Sequence, residues 1–279
     1  MGSIIFGLLS ALSWGGGDFF GGLASRKVSS YRVVLFADFL GLAFLFTALA
    51  IFKEAIPPLP NIILAALAGI FGTVGLVALY HAMATGLMSV ATPVSALLAA
   101  VLPVIVGIAT EGWPGINKSI GFGLAFFAVW LVAQDENQKS HAVRIKDLIV
   151  PLLSGVCFGT YFILIHQASG DAIIWPMVIS RFAGTVTVLI FIMATKKDWR
   201  MNNSTVWPLI LLNGFLDVCG NLFYILAGQH GRMDIAAVMS SLYPGATVLL
   251  AWLVLKEKIN KLQAVGVLIA LGVIALLTI

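Results

Sequence analysis

Ten stretches of about 20 mostly apolar residues follow one another along this chain, joined by short connections. A bilayer core about 30 Å thick takes roughly 20 helical residues to cross. Lipid offers no partner for backbone polar groups, so spanning segments satisfy their own as helices. The stretches lie near 3–25, 32–52, 61–81, 89–110, 119–134, 148–168, 175–195, 207–227, 235–255 and 261–279. They predict an all-α membrane protein of ten transmembrane helices in a multi-pass arrangement. The first stretch lacks a basic leader region and reads as a retained helix. Only 10% of the residues are charged and 60% are apolar, well short of the charge a soluble domain carries. That balance excludes a disordered chain and an ordinary soluble enzyme. The net charge of +4 comes from 16 basic and 12 acidic residues, too few for a surface that tracks phosphates, so no nucleic-acid partner is expected. Cys157 and Cys219 both sit in apolar runs and read as small core residues.

Lysine and arginine are unevenly shared between the two sets of loops. The odd-numbered connections carry Arg26, Lys27, Arg32, Lys139, Arg144, Lys146, Lys196, Lys197, Arg200, Lys256, Lys258 and Lys261, whereas the even-numbered ones carry Lys53, Lys118 and Arg232. By the positive-inside rule the odd loops face the cytoplasm and both termini lie outside. The most polar connection, 135–147, divides the chain into a first half, 1–134, and a second, 148–279.

The halves resemble one another at a shift of 143 to 146 residues. LLSALSWG from Leu8 matches LLSGVCFG from Leu152, GLMSVATPVSALL from Gly86 matches GRMDIAAVMSSLY from Gly231, and INK recurs at Ile116 and Ile259. Five spans per repeat is an odd number, so the second repeat enters the membrane from the opposite side. Two inverted five-helix repeats are a recurring plan for secondary transporters, with the binding site near the midplane between them.

With that architecture, the segment WGGGDFFGGLASR near the start and Pro244 followed by LKEKINKLQAVGVLIALGV resemble the drug/metabolite transporter superfamily, and within it the EamA-like ten-helix family. The resemblance covers the whole chain. It implies a carrier of small metabolites or drugs, commonly an exporter in bacteria, placed in the cell membrane. It also implies a central cavity lined by the first, third, fourth, sixth, eighth and ninth helices, with the fifth and tenth as outer supports. It implies both termini inside, the reverse of what the loop charges give.

Polar residues at bilayer depth are expensive and mark functional positions. On the eighth span Asn213, Asp217, Asn221, Tyr224 and Gly228 recur at steps of three and four, forming one polar stripe. Asp217 lies ten residues from either expected end of that span and is the leading candidate for a substrate-binding or proton-carrying group. Arg181 lies six residues into the seventh span, about 9 Å deep at 1.5 Å per residue. It is either a structural partner of Asp217, a snorkelling side chain, or a gate or anion-binding group. Asp18 follows Trp14 by one helical turn beside Gly15, Gly16 and Gly17. An aspartate and an indole face together suit a cation, although Asp18 has Arg26 and Lys27 nearby, as Asp38 has Arg32. Tyr80, Ser95, Tyr161, Ser240 and Tyr243 are further candidates to line the cavity. Pro93, Pro103 and Pro244 are candidate hinges in the fourth and ninth spans.

These residues favour a secondary transporter of a small polar or amphiphilic metabolite, cationic or zwitterionic, such as an amino acid or amine, with a proton as the candidate coupling ion. An uncoupled or channel-like facilitator, or a carrier of an anion centred on Arg181, is the alternative. No nucleotide-binding loop, HExxH or GxSxG occurs, so neither ATP hydrolysis nor enzyme catalysis is expected, and no cofactor or metal. The expected partners are the lipid bilayer and a small-molecule substrate, with the chain acting as a monomer or homodimer.

Overall fold

The computed structural model describes residues 1–84, 88–132, 145–201, 203–256 and 260–278. The first half supplies α1 (Gly2–Ser25), α2 (Ser30–Phe52), α3 (Leu59–Ala82), α4 (Met88–Glu111) and α5 (Ile116–Val132). The second supplies α6 (Ile145–Ser169), α7 (Ile174–Thr195), α8 (Trp207–Gln229), α9 (Met233–Ser240), α10 (Tyr243–Leu255) and α11 (Lys261–Thr278). Among the described residues, eight helical stretches are long and apolar enough to cross a membrane, with 233–254 counted as one. Two shorter apolar helices, Ile116–Val132 and Lys261–Ala270, hold the fifth and tenth positions in chain order. Most of the expected polar connection 135–147 falls outside the described residues.

Local chemistry sets several of the boundaries. Proline in the first turn opens α3 and α8, where its missing N–H would have had no helical partner. The α4–α5 turn carries Gly112 and Gly115 at φ of 79° and 94°, a left-handed conformation that glycine adopts without strain. The ninth span is two helices, broken between Ser240 and Tyr243 immediately before Pro244. The break falls beside the proline expected to interrupt this span, because proline lacks a donor and crowds the preceding turn. In contrast, α4 runs unbroken past Pro93 and Pro103.

The outer surface is apolar: Phe46, Ile51, Phe182 and Leu268 are each more than half exposed, as suits side chains facing lipid. Inside, lipid-like cores give helices no hydrophobic drive to associate, so small residues and cross-helix hydrogen bonds hold them together. Those contacts come in related pairs. α1 lies along α8 as α6 lies along α3, and α1 crosses the α9–α10 pair as α6 crosses α4. Ser10 Oγ donates to the Gly220 carbonyl at 2.9 Å, and Ser154 Oγ donates to the Gly75 carbonyl at 2.8 Å. Ser154 stands 144 residues after Ser10, and Gly220 stands 145 after Gly75. Gly220 takes the Trp14 ring against its backbone, and Gly75 takes the Phe158 ring. Gly214 on α8 abuts the Ala37 carbonyl of α2, while Gly69 on α3 abuts the Ser180 carbonyl of α7. Even the helix ends correspond, since α2 and α7 stop at left-handed Lys53 and Lys196, with φ of 49° and 50°. The sequence repeat is therefore a repeat of contacts, related by exchange of the two halves.

Candidate functional site

A cavity lies between the halves, bounded by residues of α1, α2, α3, α6, α7 and α8, with Tyr243 from the start of α10. It leaves about 80 Å³ for the centres of water-sized molecules, enough for several waters or a small polar group. No residue of α4 appears among the described lining residues, whereas α2 and α7 both contribute. This differs from the helix set that the family resemblance implies. The reason is that Asp38 and Arg181 point inward from α2 and α7 and meet.

Arg181 is the hub. Its Nη1 donates to Asp38 Oδ1 at 2.7 Å, and its Nη2 is bonded to Asp217 Oδ2. Arg181 and Asp38 are both buried, and Asp217 is nearly so. A buried charge persists only when paired and hydrogen-bonded, and here one guanidinium serves two carboxylates. Asn221, one helical turn beyond Asp217, donates from Nδ2 to Asp217 Oδ2 at 3.1 Å and to its carbonyl at 2.6 Å. The side-chain oxygen Oδ1 of Asn221 in turn accepts from the Tyr161 hydroxyl. Asp38 Oδ2 has no hydrogen-bond partner among the described residues.

The expected pairing of Asp38 with Arg32 is not formed. Arg32 turns outward, donating from Nε to the Asp198 carbonyl at 2.8 Å, with its Nη2 3.5 Å from the Asp198 carboxylate. Asp18 is buried inside the bundle, facing Tyr80 rather than Arg26 or Lys27. Tyr80 Oη accepts from Asn213 Nδ2 at 2.6 Å, which leaves its proton for the Asp18 carboxylate. The cavity thus gathers three carboxyl groups, Asp18, Asp38 and Asp217, around one guanidinium.

An aromatic wall stands beside this charge cluster. Trp14 stacks on Phe162 with centroids 5.2 Å apart and planes 17° apart, and Phe162 stacks on Tyr224 at 4.6 Å and 23°. Close stacking is possible because Gly220 offers no side chain where the indole lies.

Of the twelve residues singled out in the sequence, seven reach the cavity: Trp14, Asp18, Tyr161, Arg181, Asp217, Asn221 and Tyr243. The other five lie outside the cavity lining. Asn213 holds Tyr80 and the Gly17 carbonyl, the latter at 2.9 Å. Tyr224 donates to the Phe162 carbonyl at 3.1 Å, and Ser95 to the Pro151 carbonyl at 2.9 Å. Ser240 is fully buried. Phe158, Phe162, Thr73 and Ser180 also line the cavity without having been singled out. Phe158 and Phe162 were legible as the repeat counterparts of Trp14 and Asp18, each 144 residues later, whereas Thr73 and Ser180 carry no such signal.

Comparison with known proteins agrees with this architecture. The model of the EamA-like transporter family matches residues 1–134 and 145–279. An uncharacterized transporter of Bacillus subtilis, YojE, is 33% identical over 139 residues, 47% of this chain and 46% of that relative. The matched part thus spans about half the length of that relative. An uncharacterized protein of Methanocaldococcus jannaschii, MJ1333.1, is 31% identical over 133 residues, which is 47% of this chain but 93% of that protein. A protein about the length of one repeat is therefore similar to one portion of this chain. One solved crystal structure of a protein superposes with a TM-score of 0.76 at 13% identity, covering 99% of this chain and 96% of the other. That likeness concerns the fold.

Proposed function

From the premise that this multi-pass membrane chain belongs to the EamA-like transporter family, we propose that it is an alternating-access secondary transporter of a small cationic or zwitterionic metabolite. An amino acid or amine has the required chemistry. The observation that carries this reading is the state of Arg181, already occupied by Asp38 and Asp217. With its arginine paired, the cavity presents carboxylates and an aromatic face, which attract an ammonium group by charge and by the ring quadrupole. An anion would have to displace two carboxylates from one guanidinium, so the anion-carrier reading has less support.

Inverted repeats supply two states of similar energy facing opposite sides, and a substrate shifts between them only by its differential affinity. Asp217 is the group through which coupling would act. Taking up a proton would neutralise Asp217 and weaken its charge-assisted bond to Arg181. A proton and a substrate ammonium therefore compete for the same carboxylate, which makes exchange of a proton for a cationic metabolite a natural cycle. Such a cycle suits an exporter or an exchanger.

The test is proton movement in proteoliposomes that enclose a pH-sensitive dye, with amines, amino acids and sugar phosphates added singly. The expected result is a substrate-driven pH change with amines or amino acids, lost in Asp217→Asn while substrate exchange persists. Full pH coupling in Asp217→Asn would refute the role of that carboxylate. A response to sugar phosphates alone would move the site to Arg181.

A further inference from the structure

Among the described residues, the two faces of the bundle are closed by different contacts. On the face formed by the even-numbered loops, polar contacts cross between the repeats at three places. The Glu54 carboxylate accepts from the backbone amides of Ile173, Ile174 and Trp175 at 2.6, 2.8 and 2.8 Å. Asn61 Nδ2 donates to the Ala168 carbonyl at 2.8 Å. The third place centres on Arg232, in the turn before α9. Its Nη2 donates to Asp234 Oδ2 at 2.8 Å and to the Gly112 carbonyl at 2.7 Å, and its Nη1 donates to the Glu111 carbonyl at 3.1 Å. The Glu111 carboxylate lies 3.8 Å from Nε and accepts from the Met233 amide at 3.3 Å. Asp234 is fully buried and packs against Gly107 of α4. One guanidinium thereby fastens the end of α4 in the first repeat to the start of α9 in the second.

The odd-loop face is built otherwise. Tyr31 and Arg32 reach Asp198 across the repeats, but a second cavity of about 590 Å³ opens beside them, lined by Ser29, Tyr31, His81 and Lys197. Thr73 lines both this cavity and the central one, so the larger cavity adjoins the site on its odd-loop side. The sequence shows the same asymmetry. Where the second repeat reads GRMD, with Arg232 and Asp234, the first reads GLMS, with Leu87 and Ser89. The repeat shift therefore gives the other face neither the cation nor the buried acid of this cluster.

We propose that Arg232 is a one-sided latch that holds the even-loop face shut at rest, so that the carrier waits with its site accessible from the odd-loop face. This rests on the alternating-access reading above and adds the group that sets its resting direction. Releasing the latch frees the end of α4 from α9, and the contacts surrendered at Glu111 and Gly112 weight the equilibrium toward the odd-facing state. An inverted repeat alone would leave the two directions balanced.

The latch is tested without knowing the substrate. Thr73→Cys is placed in a Cys157→Ala/Cys219→Ala background, and its labelling by a membrane-impermeant thiol reagent is followed from each side of vesicles. Lys27→Cys and Ile56→Cys, both at exposed loop positions, mark the odd-loop and even-loop faces. The expected result is labelling from the odd-loop face alone. Adding Arg232→Gln should raise even-face labelling roughly tenfold, about what one charge-assisted hydrogen bond is worth to a two-state equilibrium. Arg232→Lys, which keeps the charge but loses the fork, should fall between and serves if the Gln variant does not fold. Unchanged even-face labelling in a folded Arg232 variant would overturn the latch and leave the transporter reading intact. Equal labelling from both faces before any change at Arg232 would overturn the one-sided cavity and the latch with it.

Discussion

The two repeats share a scaffold and differ in charge. Ser10 and Ser154 make the same bond, Gly69 and Gly214 make the same backbone approach, and Lys53 and Lys196 end equivalent helices. Yet at the equivalent positions Asp38 and Arg181 the chain carries opposite charges, and these bond to one another. Asp217 has a glycine, Gly72, as its counterpart 145 residues earlier, and both line the cavity. The shared part is what holds the helices of the two repeats together in the same way. The unshared part supplies the charges that line the cavity. Symmetry is thus kept in the small residues between helices and broken by the few charges at the centre and at Arg232.

That division can be broken most severely at the centre. Arg181→Gln leaves two buried carboxylates facing each other without a cation, and unfolding in micelles should show a loss of about 3–5 kcal/mol. A loss below about 1 kcal/mol, the range of exposed pairs, would mean that the cluster is solvated and not a buried pair. The scaffold comes next. Gly69→Ala and Gly214→Ala each drive a methyl group into a backbone carbonyl that has no rotamer to move, so each should cost about 1–3 kcal/mol. Gly123→Ala, with nothing near its added carbon, should instead gain about 0.5–1 kcal/mol from helix propensity. Similar losses at Gly69 and Gly214 sharpen the symmetry, while a loss at only one would confine the close approach to that half. The smallest effect belongs to the helix ends. Lys53→Gly and Lys196→Gly remove a side chain from a left-handed backbone position and should each raise stability by up to about 1 kcal/mol. Equal shifts in thermal midpoint would match the equivalence of the two ends.

Much of the fold was written in the sequence, because lipid demands long apolar helices and the repeat imposes a shift. The stretch near 207–227 became a helix at Trp207–Gln229, and the break in the ninth span fell at Pro244. The polar stripe on the eighth span was legible too, but which of its members face the cavity was not. Asp217 and Asn221 line it, whereas Asn213 and Tyr224 turn toward Gly17 and Phe162. A stripe of this width covers both a cavity and its rim, and helical periodicity cannot divide the two. Pairings between distant helices were the least legible. Arg32 was the charge closest to Asp38 along the chain, but the α2 helix carries Asp38 inward and Arg32 to the loop, where Asp198 takes it. The sequence offered Asp217 as a partner for Arg181, a pair that forms, but did not point to Asp38. The resemblance to a ten-helix family placed a cavity between the halves, and the charges on α2 and α7 account for the difference in which helices line it.

The central claim is that carboxylates, with Arg181 occupied, make this a site for a cationic or zwitterionic metabolite. Ligand-induced stabilisation of the purified protein tests it most directly, since a ligand that binds the native state raises its melting temperature by mass action. The panel would hold amines, amino acids, nucleosides and sugar phosphates, measured on the wild type and on Asp217→Asn. The account predicts that amines or amino acids raise the melting temperature of the wild type and lose that effect in the variant. Stabilisation by anions alone, unchanged or stronger in Asp217→Asn, would contradict it.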